Sequence, residues 1–178
     1  MNYQQIIDKY YEPESPLWNI LMTHSRRVAD KALSVARTMP ELNIDESFVE
    51  EAAMLHDIGV FLTNAPGIQC FGTEPYICHG LLGAELMRRE GYPRHALVCE
   101  RHTGTGLTCE QIIRQNLPLP HRNFVPVSIE EQLICWADKF FSKTRPEQEK
   151  TPEQARRSLE KFGAKGLVKF DEWCHRFR

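Results

Sequence analysis

The chain has 178 residues, with 22 Lys and Arg against 24 Asp and Glu and a formal net charge of −2. This length fits one domain, and 42% hydrophobic with 26% charged residues is the composition of a folded globular protein, which excludes a disordered chain. The lack of a basic surplus argues against nucleic acid as the main partner, and no stretch is long and apolar enough to span a membrane.

The first part of the chain predicts two helices. Ser15 and Pro16 form a helix start, because serine caps free amides and proline suits the first helical position. Apolar residues then recur at helical spacing as far as Pro40. Asp45 can cap the second helix, for which Gly59 provides an end.

A loop over 60–77, rich in glycine, proline and aromatic residues, is a candidate lid, and helices over 79–90 and 94–101 follow it. Capping boxes, in which a hydroxyl residue precedes Gln or Glu by three positions, open further helices. They are Thr108 with Gln111, Ser128 with Glu131, and Thr151 with Gln154. An amphipathic tail starts at Ala164. With no alternating strand pattern, the sequence predicts an all-α bundle: one domain over 1–178, with a core at about 16–145 and the C-terminal helices packed on it.

The amino-terminal segment lacks the basic start and the uninterrupted apolar stretch of a signal peptide. The six cysteines are far apart and form no Cys-x-x-Cys pair, so they are interpreted as reduced thiols. Both observations predict a cytoplasmic protein with no membrane partner.

Four polar residues interrupt the apolar faces of the predicted helices. Apolar residues three or four positions away flank His24, His56 and Asp138, so these side chains point inward, and Asp57 projects about 100° round the helix from His56. Burial of an unpaired charge costs several kcal/mol, so inward polar residues need partners. A cation between the helices would account for all four, because imidazole and carboxylate are usual metal ligands.

Each of these residues also has a structural interpretation. A lone inward histidine such as His24 is more often a hydrogen-bonded core residue, Asp57 suits a helix end, and Asp138 suits a buried ion pair with Lys139. The combination favours the metal, because otherwise two histidines and two aspartates would each need a separate compensating partner.

The segment 52–59 reads Ala-Ala-Met-Leu-His-Asp-Ile-Gly and resembles the signature of the HD superfamily, specifically its HDIG subgroup of metal-dependent phosphohydrolases. His24, in His-Ser-Arg-Arg-Val-Ala, resembles the upstream metal histidine of that family, and Asp138, in Trp-Ala-Asp-Lys, its downstream metal aspartate. The resemblance covers roughly 18–141. It implies an HD-domain helical bundle and a bound divalent metal, with Mn, Fe, Ni, Co, Zn and Mg all open.

Some members of the superfamily carry two further histidines at a second metal. His79 and His102 match these by order and spacing, which implies that Asp57 bridges one metal held with His24, His56 and Asp138 to another held by His79 and His102. The alternatives are that His79 caps its helix and that His102 contacts the substrate. One or two metals are therefore expected.

The resemblance implies a phosphohydrolase that uses metal-activated water to cleave a phosphate ester or anhydride of a nucleotide or another small phosphorylated metabolite. Asp57, Lys139 and Arg27 are the candidate catalytic residues, since Lys139 follows a ligand and Arg27 lies one helical turn from His24. The alternative for both Lys139 and Arg27 is a solvated position on the surface. Val60 departs from the pattern, because many relatives have a lysine directly after the glycine of the motif.

Two other functions stay open. A few proteins that resemble HD domains use a pair of irons to activate oxygen, and six candidate ligands permit this. A sensor domain that binds a nucleotide without turnover is the third possibility. Oxygen consumption would indicate the oxygenase, and a lack of hydrolysis over a broad substrate panel would indicate the sensor.

Overall fold

The computed structural model describes residues 1–177, and helices account for most of them. They are α1 (Tyr3–Tyr10), α2 (Pro16–Thr38), α3 (Glu46–Leu55), α4 (His79–Arg89), α5 (Pro93–Arg101), α6 (Cys109–Arg114), α7 (Ile129–Asp138), α8 (Pro152–Ser158) and α9 (Ala164–Arg176). Strands β1 (Asn64–Ala65) and β2 (Cys70–Phe71) pair antiparallel, with Asn64 opposite Phe71. The prediction of an all-α fold is confirmed. The small hairpin lies in the predicted loop over 60–77, and two-residue strands are too short to show a period of two.

Local capping starts the helices where the sequence predicts. The side chain of Ser15 accepts a hydrogen bond from the Trp18 amide at the start of α2, and that of Asp45 accepts one from the Phe48 amide at the start of α3. All three predicted capping boxes are present, at α6, α7 and α8. Each box pairs amides that the first helical turn leaves without partners.

The helix ends differ from the predicted ones, and this difference shapes the site. Helix α3 ends at Leu55, before Gly59, because the chain tightens into turns in which the amide of Ile58 donates to the Leu55 carbonyl. Asp57 therefore lies in a tight turn and not on the helix. Helix α7 ends at Asp138, which places that carboxylate at the helix terminus.

The core lies between α2, α3, α5 and α7. Helix α2 packs on α3, α4 packs on α5, and α7 contacts α2, α3 and α5. Helix α9 packs on α7 and contributes Phe170 and Trp173 to the same buried cluster as Val28 and Ile134. Between residues 1 and 177, no helix combines the length and the hydropathy needed to cross a membrane.

Candidate metal centre

The four residues that interrupt the apolar helix faces come together in the interior. His24 lies within α2, His56 and Asp57 in the turn after α3, and Asp138 at the last position of α7, and all four are buried. The Nε2 atom of His24 lies 3.2 Å from Asp57 Oδ2 and 3.0 Å from Asp138 Oδ1. His56 Nε2 lies 3.0 Å from Asp57 Oδ2. Together they form one group of donors spaced closely enough to hold a metal ion.

Asp57 also belongs to a second group. Its other oxygen, Oδ1, lies 3.4 Å from Nε2 of His79, the first residue of α4, and 3.3 Å from Nε2 of His102, which follows α5. The Nε2 atoms of the two histidines are 3.0 Å apart. One carboxylate thus faces two donor groups, one through each oxygen.

Three of the histidines are oriented in the same way. In each, Nδ1 lies 2.6–2.7 Å from the carbonyl oxygen three residues earlier. The pairs are His56 with Ala53, His79 with Tyr76, and His102 with Cys99. A carbonyl only accepts hydrogen bonds, so Nδ1 carries the proton and the lone pair of the neutral ring lies on Nε2, facing Asp57. This arrangement is typical of histidines that bind metals.

Several of these buried candidate ligand atoms make no hydrogen bond within the described residues. Nδ1 and Nε2 of His24, Nε2 of His56 and both carboxylate oxygens of Asp57 are buried without a hydrogen bond of acceptable geometry in residues 1–177. Apart from Asp57 Oδ2, which has the Lys143 ammonium 2.6 Å away, such atoms lose solvation without compensation. A divalent cation would accept their lone pairs, and a mixture of imidazole and carboxylate suits several first-row metals. The donor set therefore fits the metal that the resemblance implies.

The electrostatics of the centre follow from burial and from close opposite charges. Burial acts to raise the pKa of Asp57, but His56 and Lys143 outweigh it and hold that pKa well below its usual range. Burial acts to lower the pKa of His56, yet the carboxylates of Asp57 and Asp138 raise it to about 9. Burial dominates at His79 and lowers its pKa to about 3. At neutral pH the carboxylates are thus charged and His79 is neutral, as metal ligands must be, whereas His56 carries a second proton that a bound metal would displace from Nε2.

Of the two predicted catalytic cations, the structure brings only Lys139 to the centre. Its ammonium lies 2.6 Å from Asp138 Oδ2 and donates to the His102 carbonyl at 2.9 Å. Arg27 is exposed, donates to the Glu147 carbonyl at 3.1 Å and lines a separate cavity. Its long side chain extends from α2 along the surface toward the segment after α7.

The sequence does not indicate two further residues at the centre. The Lys143 ammonium lies 2.6 Å from Asp57 Oδ2, and the Tyr76 ring stacks on the His79 ring with centroids 4.7 Å apart. Lys143 lies beyond the end of α7, so no helical spacing relates it to Asp138. Tyr76 lies in the loop over 60–77, where no periodic pattern predicts side-chain direction.

The centre opens to the surface through one cavity of about 200 Å³, here called the metal cavity. Its inner wall includes His79, His102, Asp138 and Lys139. Its outer wall comes largely from the C-terminal part of the chain, with Lys150, Ser158, Lys161 and Phe162. Thr103 and Gly104, from the glycine pattern after α5, also line it. A substrate can therefore reach the donors of the second group from outside.

Three curated proteins share about a third of their aligned residues with this chain. One from Thermoplasma volcanium, 34% identical over 123 residues, and one from Picrophilus torridus, 33% identical over 128, are both named tRNA (cytidine(56)-2'-O)-methyltransferase. The alignments cover 68% and 71% of this chain but only 32% and 33% of those proteins. The third, an uncharacterised protein of Methanocaldococcus jannaschii, is 32% identical over 131 residues, which are 68% of this chain and 70% of that protein. No solved structure matches the chain.

These names correct two predictions. The predicted phosphohydrolase of a nucleotide or small phosphorylated metabolite is wrong, because the named relatives are enzymes that modify RNA. The prediction that nucleic acid is not the main partner is wrong for the same reason. The charge argument failed because a net charge of −2 is an average over the whole chain. It does not show that several lysines lie together at one opening.

The family is decided by a match to a family model. The family model described as HD domain matches residues 21–142, which include all six predicted metal residues. It agrees with the helical architecture and with the convergence of histidine and aspartate donors at one centre. This chain belongs to the HD domain family.

Proposed function

We propose that this chain is a metal-dependent hydrolase that acts on RNA, with transfer RNA as the first substrate to test. The observation that carries the proposal is the placement of Asp57, whose two oxygens face two groups of buried donors beside an opening lined by lysines. The names of the two relatives, of which this chain spans about one third, support RNA as the substrate class.

The chemistry divides between the metal and the side chains of the chain. A bound divalent cation would polarise a substrate oxygen and lower the pKa of its water from about 15.7 toward 7. Lys139, held by Asp138 and the His102 carbonyl, presents a positive charge to the metal cavity. Lys150 and Lys161 at its outer wall attract the RNA phosphates. His79 and His102 keep their ring orientation through their carbonyl partners.

Methyl transfer to RNA is the second candidate, favoured by the names of the relatives. It requires a bound methyl donor rather than activated water. About two thirds of each named relative lies outside its alignment with this chain, which leaves room for that activity elsewhere in those proteins. The paired donor groups therefore favour hydrolysis for this chain.

Metal content is the first test, measured by mass spectrometry on untagged protein. We expect the wild type to retain divalent metal, and His56→Ala and His102→Ala each to lose part or all of it. His121→Ala, which changes an exposed histidine far from the six ligands in sequence, is the control and should match the wild type. A wild type without metal under metal-replete conditions would overturn the proposal.

Turnover is the second test. Transfer RNA is incubated with metal-loaded protein, with and without S-adenosylmethionine, and its fragments and ends are weighed by mass spectrometry. We expect a hydrolysis product that needs metal, does not need the methyl donor and disappears in His56→Ala. A gain of a methyl group only with the donor would support the second candidate. No product from metal-loaded protein would contradict both.

A further inference from the structure

A second cavity adjoins the metal cavity and has no role in binding the metal. It has a volume of about 370 Å³ and is here called the side cavity. Its walls come from the loop over 60–77, through Ala65, Gly67 and Ile68, and from the segment after α7, through Ser142 and Thr144. Lys143, whose ammonium contacts Asp57, also lines it. The side cavity therefore reaches close to the metal ligands from another direction.

The two cavities share a boundary of three residues. Tyr76, Phe141 and Lys150 line both of them. A ligand that extends from one cavity to the other would therefore pass these three side chains. A chain of nucleotides needs two adjacent sites for two covalently joined units, whereas a single metabolite needs only one.

Positive charge is concentrated along this boundary. Lys139 and Lys143 are matched by Asp138 and Asp57, each at 2.6 Å. Lys150 and Lys161 have no carboxylate within ion-pair distance among residues 1–177; Lys150 donates to the Lys139 carbonyl at 3.4 Å. Burial lowers the pKa of Lys150, and Lys139 and Lys161 act in the same direction against Asp138. An anionic group between the cavities would neutralise this charge, and a backbone phosphate is such a group.

The lining of the side cavity suits a nucleobase. Ala65, Ile68 and Phe141 supply apolar surface, while Tyr76 supplies an aromatic ring that is partly exposed. Its volume is near the lower end of the range for small-molecule sites, about 300–1,000 Å³. One unpaired base fits such a space, whereas paired and stacked bases of a helix do not enter it.

We infer that the side cavity binds one nucleotide of an unpaired RNA strand, and that Lys150 holds the phosphate linking it to the nucleotide at the metal centre. The inference rests on the proposed action on RNA and makes it more specific. The substrate is then single-stranded RNA, such as an unpaired end, and a base-paired stem is excluded from this site.

The test is binding of a fluorescein-labelled single-stranded RNA octamer, followed by fluorescence anisotropy, with the same octamer annealed to its complement for comparison. Lys150→Ala should weaken binding of the single strand about tenfold, the usual effect of losing one hydrogen bond to a charged group. Lys165→Ala is the matched control, because this lysine is 84% exposed at its side chain, pairs with Glu110 and lines neither cavity.

A second variant tests the side cavity without removing charge. Gly67 lines the side cavity, and a Cβ there meets nothing within 4 Å, so Gly67→Phe adds a large side chain at the cavity wall without a clash at Cβ. We expect it to weaken single-strand binding by a similar factor and to leave metal content unchanged. Thr73→Phe, at an exposed position of the same loop outside both cavities, should bind like the wild type.

The outcomes separate the inference from the function on which it rests. Tighter binding of the single strand than of the duplex, weakened by Lys150→Ala and Gly67→Phe but not by the controls, supports it. Equal or tighter binding of the duplex, or variants that bind like the wild type, overturns the inference and leaves the RNA hydrolase in place. A wild type that binds neither RNA overturns both.

Discussion

Asp57 is the residue on which both donor groups depend. Its oxygens face different histidines, and the Lys143 ammonium lies beside one of them. A shift of this single side chain would therefore disturb both groups together. The tight turn after α3 limits such a shift, because the Val60 amide donates to the Asp57 carbonyl at 3.0 Å.

Glu100 is a buried carboxylate outside the metal centre. The contribution of its charge to the stability of the fold can be tested by changing the pH. Arg88 and Arg122 contact it at 2.6 Å and 3.1 Å. Burial acts to raise its pKa, but hydrogen bonds from the two arginines outweigh this and lower it from 4.5. A carboxyl with a lowered folded-state pKa stabilises the fold above its unfolded-state pKa, and this stability is lost as the pH falls through the folded-state pKa.

We expect Glu100→Gln to lower the free energy of unfolding by about 1–3 kcal/mol at neutral pH, because the two arginines lose their carboxylate partner and face a neutral amide. Urea unfolding of wild type and variant at a series of pH values measures the difference, which should shrink below pH 4.5, the reference value for a glutamate. Glu110→Gln removes an exposed pair with Lys165 and should cost less than about 1 kcal/mol at any pH. A cost for Glu100→Gln that does not change with pH would contradict the charge argument.

At the scale of elements, the site depends on how closely α4 approaches the turn after α3. A Cβ at Gly59 would lie 2.3 Å from the Gly83 amide nitrogen and 2.4 Å from the His79 carbonyl oxygen. Both are backbone atoms, which cannot rotate away. Glycine at 59 therefore lets α4, which begins at His79, pack directly on the turn that holds Asp57.

Gly59→Ala tests this approach. We expect it to lower the free energy of unfolding by about 1–3 kcal/mol or more, as overpacking of a core does, and to reduce metal content because His79 must move. Urea unfolding and metal analysis measure the two effects. Gly67→Ala is the matched control, since its Cβ meets nothing within 4 Å, and it should leave both quantities unchanged or raise stability slightly. Metal content equal to that of the wild type in Gly59→Ala would show that the approach does not position His79.

At the scale of the whole molecule, the C-terminal helices form part of the main core and of the site. Trp173 and Phe170 are buried, and the Trp173 indole nitrogen donates to Gln132 on α7 at 3.3 Å. Residues from α8 onward also form the outer wall of the metal cavity. This part of the chain follows the region matched by the family model, which ends at residue 142.

We therefore expect Trp173→Ala to lower the free energy of unfolding by about 3–5 kcal/mol within one cooperative transition, because a large buried side chain leaves a cavity. Chemical unfolding followed by circular dichroism and by fluorescence checks both points. Val168→Ala, at an exposed position of the same helix, should cost less than about 0.5 kcal/mol. Two separate transitions, with only a minor one shifted, would mean that the C-terminal helices form a unit of their own, contrary to the predicted single domain over 1–178.

Local patterns determined the helix starts and the nature of the centre. The hydrogen bonds of a capping box join residues three positions apart, so Ser128 with Glu131 can be recognised without any other part of the chain. The burial of His24, His56 and Asp138 follows from helical periodicity, which is also local. The HD signature supplied the expectation of a metal, and the structure brings all six predicted ligands together.

Only the tertiary structure decided where the cations lie and what shape the opening takes. Lys143 reaches Asp57 from a turn beyond α7, while Arg27, on the same helix as His24, extends to the Glu147 carbonyl. Long side chains can reach partners in several directions, and the direction taken depends on turns and neighbouring segments that no spacing rule describes. The lysines that line the two cavities were hidden for the same reason, because Lys143, Lys150 and Lys161 belong to different segments that only packing brings near one another.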